Sequence, residues 1–174
     1  AISLKMVLEL REIKVSEITG AIIGSVVPPV TSLMREAIRK VTGQEALVVN
    51  VDMNIGLEVL MDNPSSVGTD LIVGAVAGIN RYPVPLILID MGTATTICVV
   101  NENKQYIGGM ILPGIGVSMN SLTSRTAQLP RISLDPPKRL IGKNTVECMQ
   151  SGALYGNASC IDGMVDRIEE ELGQ

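Results

Sequence analysis

The sequence predicts an α/β protein built as two halves, and three observations carry that expectation. Ala21–Val27 and Ala46–Val49 are short aliphatic runs, and the residues between them repeat apolar positions at helical spacing. Strand, helix and strand joined by tight links imply a right-handed parallel unit. Leu86–Val100 then reads as strand, turn and returning strand, with Tyr106–Leu112 as a third strand before further helices, the opening of a second α/β half. Between the two patterns lies Arg81-Tyr82-Pro83-Val84-Pro85, which suits neither and marks a boundary, giving halves 1–84 and 85–174.

Each element has a local reason. Leu4, Val7, Leu8 and Leu10 suit the last turns of a helix. Ala21–Val27 reads as a buried strand stopped by Pro28-Pro29, and proline suits a first helical position. Val30, Leu33, Met34, Ala37, Ile38 and Val41 continue that helix until Gly43 ends it. Gly56 to Pro64 reads as a loop. Ser65 or Ser66 can cap a helix from about Val67 to Asn80, apolar almost all round and so expected to be buried. Pro113-Gly114 leads into a helix that runs to about Ala127, and Leu129–Lys143 is an irregular loop. Asn144 caps a long helix, with Glu147 placed to bond back. Val146, Met149, Ala153, Ala158, Ile161, Val165, Ile168 and Leu172 mark its expected buried face. Gly152 and Gly156, one turn apart, suggest close backbone packing, as across a dimer interface.

Composition removes whole classes of function. The 174 residues are 46% apolar and 18% charged, which fits a folded core rather than a disordered tail. There is no His, Phe or Trp, so the core is aliphatic with Met as filler. Without histidine there is no Ser-His-Asp triad, Cys-His dyad or histidine-ligated metal, and acid–base work falls to Asp, Glu, Lys, Tyr or Cys. A net charge of −4 with no basic stripe and few aromatics argues against nucleic acid. No apolar run is long enough to span a bilayer, and no signal peptide is visible. Cys98, Cys148 and Cys160 all stand in apolar contexts and read as reduced core residues of a cytoplasmic protein.

The stretch richest in chemistry is Leu86-Ile87-Leu88-Ile89-Asp90-Met91-Gly92-Thr93-Ala94-Thr95-Thr96. Aliphatic residues run into a carboxylate, then a glycine and threonines. Such a turn gathers free amides, hydroxyls and one acid where a nucleotide phosphate and its cation can sit. It equally makes an ordinary hairpin turn. A carboxylate at the edge of a core needs a cation or several donors, which sets Asp90 apart. No Walker-type loop occurs. Arg125 and Lys143 can bind phosphate or simply be solvated.

Taken together, Ser25-Val26-Val27-Pro28-Pro29, Asp62-Asn63-Pro64, Gly68-Thr69-Asp70, Asp90-Met91-Gly92-Thr93-Ala94-Thr95, Gly108-Gly109 with Pro113-Gly114, Gly142-Lys143-Asn144-Thr145 and Gln150-Ser151-Gly152 resemble the type III pantothenate kinases. The resemblance covers essentially the whole chain. It implies an actin-like ATPase (ribonuclease H-like) fold: duplicated half-domains, mixed sheets flanked by helices. It also implies transfer of the ATP phosphoryl group to pantothenate, the first step of coenzyme A biosynthesis, by a homodimer that uses Mg²⁺ and a monovalent cation, K⁺ or NH₄⁺. Carried over by position, Asp70 is the catalytic proton acceptor, and Gly68, Thr69, Asp70, Leu71, Thr145 and Met61 contact the substrate. Gly92 and Thr93 contact ATP, and Asp90 holds the monovalent cation.

Physical chemistry adds detail. Asp70 falls in the first turn of a helix, where the dipole stabilises a carboxylate by about 0.3–1 kcal/mol. A well-stabilised carboxylate is a weak base, so its main task is to orient the hydroxyl. Thr145, at a helix start, has capping as its alternative role. The chain reads as the middle of the family's sequence. The family's N-terminal Asp-x-Gly-Asn-Thr strand and its C-terminal Gly-Gly adenosine segment have no counterpart here, so these residues alone are expected to bind ATP poorly. Many members have Tyr where Met61 stands and Arg where Leu71 stands, and Leu cannot pair with a carboxylate as Arg does. The alternatives are a non-catalytic relative acting as a binding or regulatory protein, and a kinase for another small acceptor.

Overall fold

In the computed structural model, which describes residues 1–173, helices alternate with the strands of two sheets. The chain forms two compact units, one of Ala1–Leu86 with Cys98–Gly108, the other of Ile87–Ile97 with the chain from Gly109 on.

The first unit opens with α1 (Ile2–Leu10), β1 (Ala21–Ile23), α2 (Pro28–Thr42) and β2 (Ala46–Val48). β1 and β2 pair in parallel, Ile22 opposite Leu47, as the strand–helix–strand spacing requires. Proline fills the first two positions of α2, where no helical N–H is lost. Gly43 ends the helix in the left-handed conformation at φ 71°, its N–H donating to the Arg39 carbonyl. Ile23, Ile38 and Ala46 make the small core here, with Leu4 and Ala21 against it. β1 stops at Ile23 rather than reaching Val27, because the Val27 N–H turns back to Ser25 Oγ at 3.2 Å. Ile22, Val26 and Val27 are accordingly exposed.

The second sheet runs β3–β6–β5–β4, with β3 at Glu58–Val59, β4 at Leu86–Met91, β5 at Ala94–Val100 and β6 at Gln105–Pro113. The Gly92-Thr93 and Asn101–Lys104 links are too short for a parallel crossover, so β4, β5 and β6 form an antiparallel run. β5 is the most buried strand, with Ile97 and Val100 fully enclosed. β3 lies where a loop was expected. It pairs in parallel with β6, and Glu58 accepts a hydrogen bond from Gln105 Nε2 at 2.6 Å.

α3 (Thr69–Arg81) begins two residues later than the serines suggest, and neither serine caps it. Ser65 and Ser66 instead donate to Asn63 Oδ1 and the Asn63 carbonyl, closing a 3-10 turn at Pro64–Ser66. Gly68 stands at the N-cap. Only Ile72, Ala75 and Gly78 of this helix are buried, and Val73 is 45% exposed, so one face rather than the whole surface is enclosed.

In the second unit α4 (Ile115–Arg125) and α5 (Thr145–Leu172) follow. Asn144 caps α5 through Oδ1, which accepts from Glu147 N at 2.9 Å, and Glu147 Oε2 accepts from Lys143 N at 3.1 Å. This is the expected reciprocal cap, displaced by one residue on the returning side. Met149, Ala153 and Ile168 are buried as expected, but Val146 and Ala158 are exposed. Gln150 and Ser151 take buried places because they hold the preceding loop, donating to the Ser133 and Leu140 carbonyls. Among the described residues, nothing beyond the helix's own nearby backbone lies within 4 Å of a Cβ built at Gly152 or Gly156, so no close packing there explains them.

All three cysteines are free. Cys98 is buried and Cys160 half-buried, but Cys148 is exposed on the first turn of α5 rather than in the core. No described helix is long and apolar enough to cross a membrane. Among the described residues no cluster of three acidic or thiol side chains could hold a metal ion.

Candidate functional site

The candidate residues fall into two groups, one in each unit. In the first, Gly68, Thr69, Asp70 and Leu71 form the N-terminal turn of α3. Helix geometry leaves the first amides of such a turn without helical acceptors. Asp70 satisfies one of them, its Oδ1 accepting from Leu71 N at 3.0 Å, while the carboxylate remains exposed. The end of β1 backs this turn: a Cβ at Gly24 would lie 3.9 Å from Thr69 Cγ2 and 3.5 Å from Val73 Cγ2.

Met61 reaches the same unit through β3. Leu60 N donates to the Tyr106 carbonyl at 2.8 Å, extending the β3–β6 ladder by one residue. Met61 then meets Gly108, where a Cβ would lie 3.8 Å from the Met61 sulfur. Gly108 has φ 135°, a conformation closed to residues with side chains. Met61 is therefore set against β6 rather than free in a loop.

Tyr106, which sequence reasoning passed over, sits between these parts. It is 3% exposed and its hydroxyl donates to Cys98 Sγ at 3.2 Å. A signal was present: one of only three tyrosines, alone in an apolar strand of a chain without Phe or Trp. Burial pushes its phenol far above the usual tyrosine value, helped by the bond to Cys98, by the Cys98 charge and by that of Asp70. The Asp70 carboxylate thus acts electrostatically on this buried phenol. An acid raised in the folded state keeps its proton longer than the unfolded chain does. Its contribution to stability is intact below the unfolded phenol value of about 10 and is lost as pH rises beyond it. Tyr106→Phe is expected to remove part of the alkaline loss of melting temperature above about pH 10. An identical alkaline decline in both proteins would contradict this.

The second group lies on the β4–β5 hairpin. Asp90 is the penultimate residue of β4 and is exposed, not held at the edge of a core as its sequence setting suggested, because the strand's last residues, Ile89–Met91, all face solvent. Gly92 N donates to the Ala94 carbonyl and Gly114 N to the Thr93 carbonyl, both at 3.0 Å. A Cβ at Gly114 would strike the Gly92 carbonyl oxygen, so the start of α4 lies directly against the Gly92-Thr93 turn. The amides of Ile115, Gly116 and Val117 open α4 without helical acceptors, and the first helical bond runs from Ser118 N to the Gly114 carbonyl. An N-terminus of this kind favours anions. Just beyond the turn, the Thr95 and Thr96 hydroxyls are buried without a partner among the described residues.

Thr145 is the first residue of α5, one position inside the Asn144 cap, so the capping role belongs to Asn144. It lines a cavity of about 350 Å³ between α4 and α5, with Met119, Leu122, Cys148 and Met149. Arg125 closes α4, where its charge suits the helix dipole, and it shares a polar hollow with Arg131.

A family model described as type III pantothenate kinase matches residues 2–167. A curated type III pantothenate kinase of Bacillus cytotoxicus is 45% identical over 171 residues, 98% of this chain and 65% of that protein. The chain thus spans a little under two thirds of that relative's length. A crystal structure described as a conserved Baf family transcriptional activator from Campylobacter jejuni superposes with a TM-score of 0.55 at 18% identity, over 90% of this chain and 68% of that one, a likeness of fold alone. The chain belongs to the type III pantothenate kinase family.

Proposed function

We propose that the protein phosphorylates pantothenate with ATP, giving 4'-phosphopantothenate, as a cytoplasmic homodimer of duplicated, actin-like half-domains. The observation that carries this is the 45% identity over 98% of the chain, which runs through every segment bearing a candidate residue. In this reading Asp70 receives the acceptor's primary hydroxyl and orients it. Thr69, Leu71 and Met61 form the surrounding wall together with the main chain of Gly68, and Thr145 adds a further contact. The Gly92-Thr93 turn and the opening amides of α4 take the ATP phosphates.

Asp90 provides a carboxylate beside a turn rich in carbonyl and hydroxyl oxygens, a donor set suited to hard cations such as K⁺ or NH₄⁺. Mg²⁺ accompanies ATP and supplies charge neutralisation at the phosphates. The chain's own part is positioning, which is what a loose phosphoryl-transfer transition state demands.

The test is ADP release from Mg-ATP and K⁺ by the full-length protein, with pantothenate set beside a panel of sugars and hydroxy acids. Release that depends on pantothenate and on no other acceptor is expected. Equal release with a different acceptor would reassign the substrate, and release with none would leave the family's fold in a non-catalytic role.

A further inference from the structure

We propose that Gly68 is a positioning residue for Asp70: its missing side chain leaves the seat in which the Asp70 carboxylate lies. The proposal rests on the reading of Asp70 as the group that takes the acceptor hydroxyl.

Glycine at a helix start usually invites a conformational explanation, and here that explanation fails. Gly68 has φ −59° and ψ 137°, an extended backbone open to any residue. What the position supplies is space. A Cβ there would lie 2.5 Å from Asp70 Oδ1 and 3.6 Å from Asp70 Cγ. The next nearest residue, through Val26 Cγ1 at 3.5 Å, is at ordinary contact distance. The carboxylate is therefore folded back over the Gly68 Cα, and the Leu71 N–H at 3.0 Å fixes Oδ1 from the other side. Oδ2 is left without a partner among the described residues, and it is the oxygen available to the acceptor hydroxyl. Because aspartate has only two side-chain torsions, blocking the seat forces another rotamer and redirects that oxygen.

The consequence is specific. Alanine at 68 suits the backbone and meets only a rotatable carboxylate, so the fold yields by moving Asp70. A displacement of about 1 Å at a reacting group can cost on the order of 100-fold in rate.

The experiment is a double-mutant cycle of Gly68→Ala and Asp70→Asn in the full-length protein, with the Leu71 amide resonance followed by NMR beside turnover. Gly68→Ala is expected to keep the melting temperature within about 2 °C. It should lose the downfield Leu71 amide shift that the carboxylate bond produces. It should lower kcat about 10–100-fold with acceptor KM changed less than about twofold. In the Asp70→Asn background it should cost nothing more, since a residue acting only through Asp70 has nothing left to position. Losses that multiply, or a Leu71 amide unmoved by Gly68→Ala, would overturn the proposal. If Asp70→Asn alone leaves turnover unchanged, the catalytic reading of Asp70 fails, and the Leu71 amide decides the seat by itself.

Discussion

An Asp70→Asn variant is expected to lose pantothenate-dependent ADP release by about 10²–10⁴-fold while remaining folded. The substitution keeps the shape of the side chain and an oxygen that can accept from Leu71 N, so the first turn of α3 keeps its partner. The stability cost is limited to the charge–dipole interaction, about 0.3–1 kcal/mol at an exposed helix start. What disappears is the anionic oxygen that holds and receives the acceptor's proton. Steady-state ADP release with a thermal melt on the same sample separates the two effects. Turnover within threefold of the parent, from a protein that melts normally, would remove Asp70 from the chemistry. Loss of turnover with a collapsed melt would instead make it a structural cap.

Local codes were legible in the sequence. Pro28-Pro29 and Gly43 delimit α2, the β4–β5 turn sits at Gly92-Thr93, and Asn144 with Glu147 starts α5, each from interactions between residues a few positions apart. What escaped depends on partners far along the chain. β3 is two residues long and exists only because β6 pairs with it, so no periodicity could announce it. Gln150 and Ser151 are polar and so were left out of the apolar face, yet they are buried because they donate to the Ser133 and Leu140 carbonyls. Ser65 and Ser66 had the chemistry of caps, but Asn63 lay closer and claimed both hydroxyls. Asp90 was given a setting at the core's edge, whereas the hairpin carries its end into solvent. The site divides the same way. Gly68 to Leu71 open α3, and Asp70 in the first turn was legible from sequence although the helix start was set two residues early. The setting of Met61 against Gly108, and of Tyr106 between Cys98 and the Leu60 amide, emerges only when β3 and β6 meet.

Gly114→Ala is expected to be the most damaging single-methyl change in the second unit, and comparison with Gly68 shows why. Both glycines have permissive backbones, φ −63° at Gly114 and −59° at Gly68, so neither is held by conformational need. At Gly68 the added carbon meets a side chain that can rotate away. At Gly114 it meets the Gly92 carbonyl oxygen, with the Thr93 carbonyl oxygen at 2.5 Å and its carbon at 2.9 Å, and main chain cannot rotate away. The turn and the start of α4 must separate, which breaks the bond from Gly114 N to the Thr93 carbonyl. Overpacking of this kind costs about 1–3 kcal/mol, and the lost hydrogen bond about 1 kcal/mol more. Because Gly92, Thr93 and the opening amides of α4 are the candidate phosphate contacts, the ATP KM should rise at least about tenfold while the pantothenate KM changes little. Gly116→Ala is the control for the fold, since among the described residues no atom outside its own stretch of chain lies within 4 Å of a Cβ there; it should leave the melting temperature at or slightly above the parent's. A Gly114→Ala protein with parental melting temperature and ATP KM would show that the hairpin turn and α4 are not locked together, and that the phosphate contacts lie elsewhere.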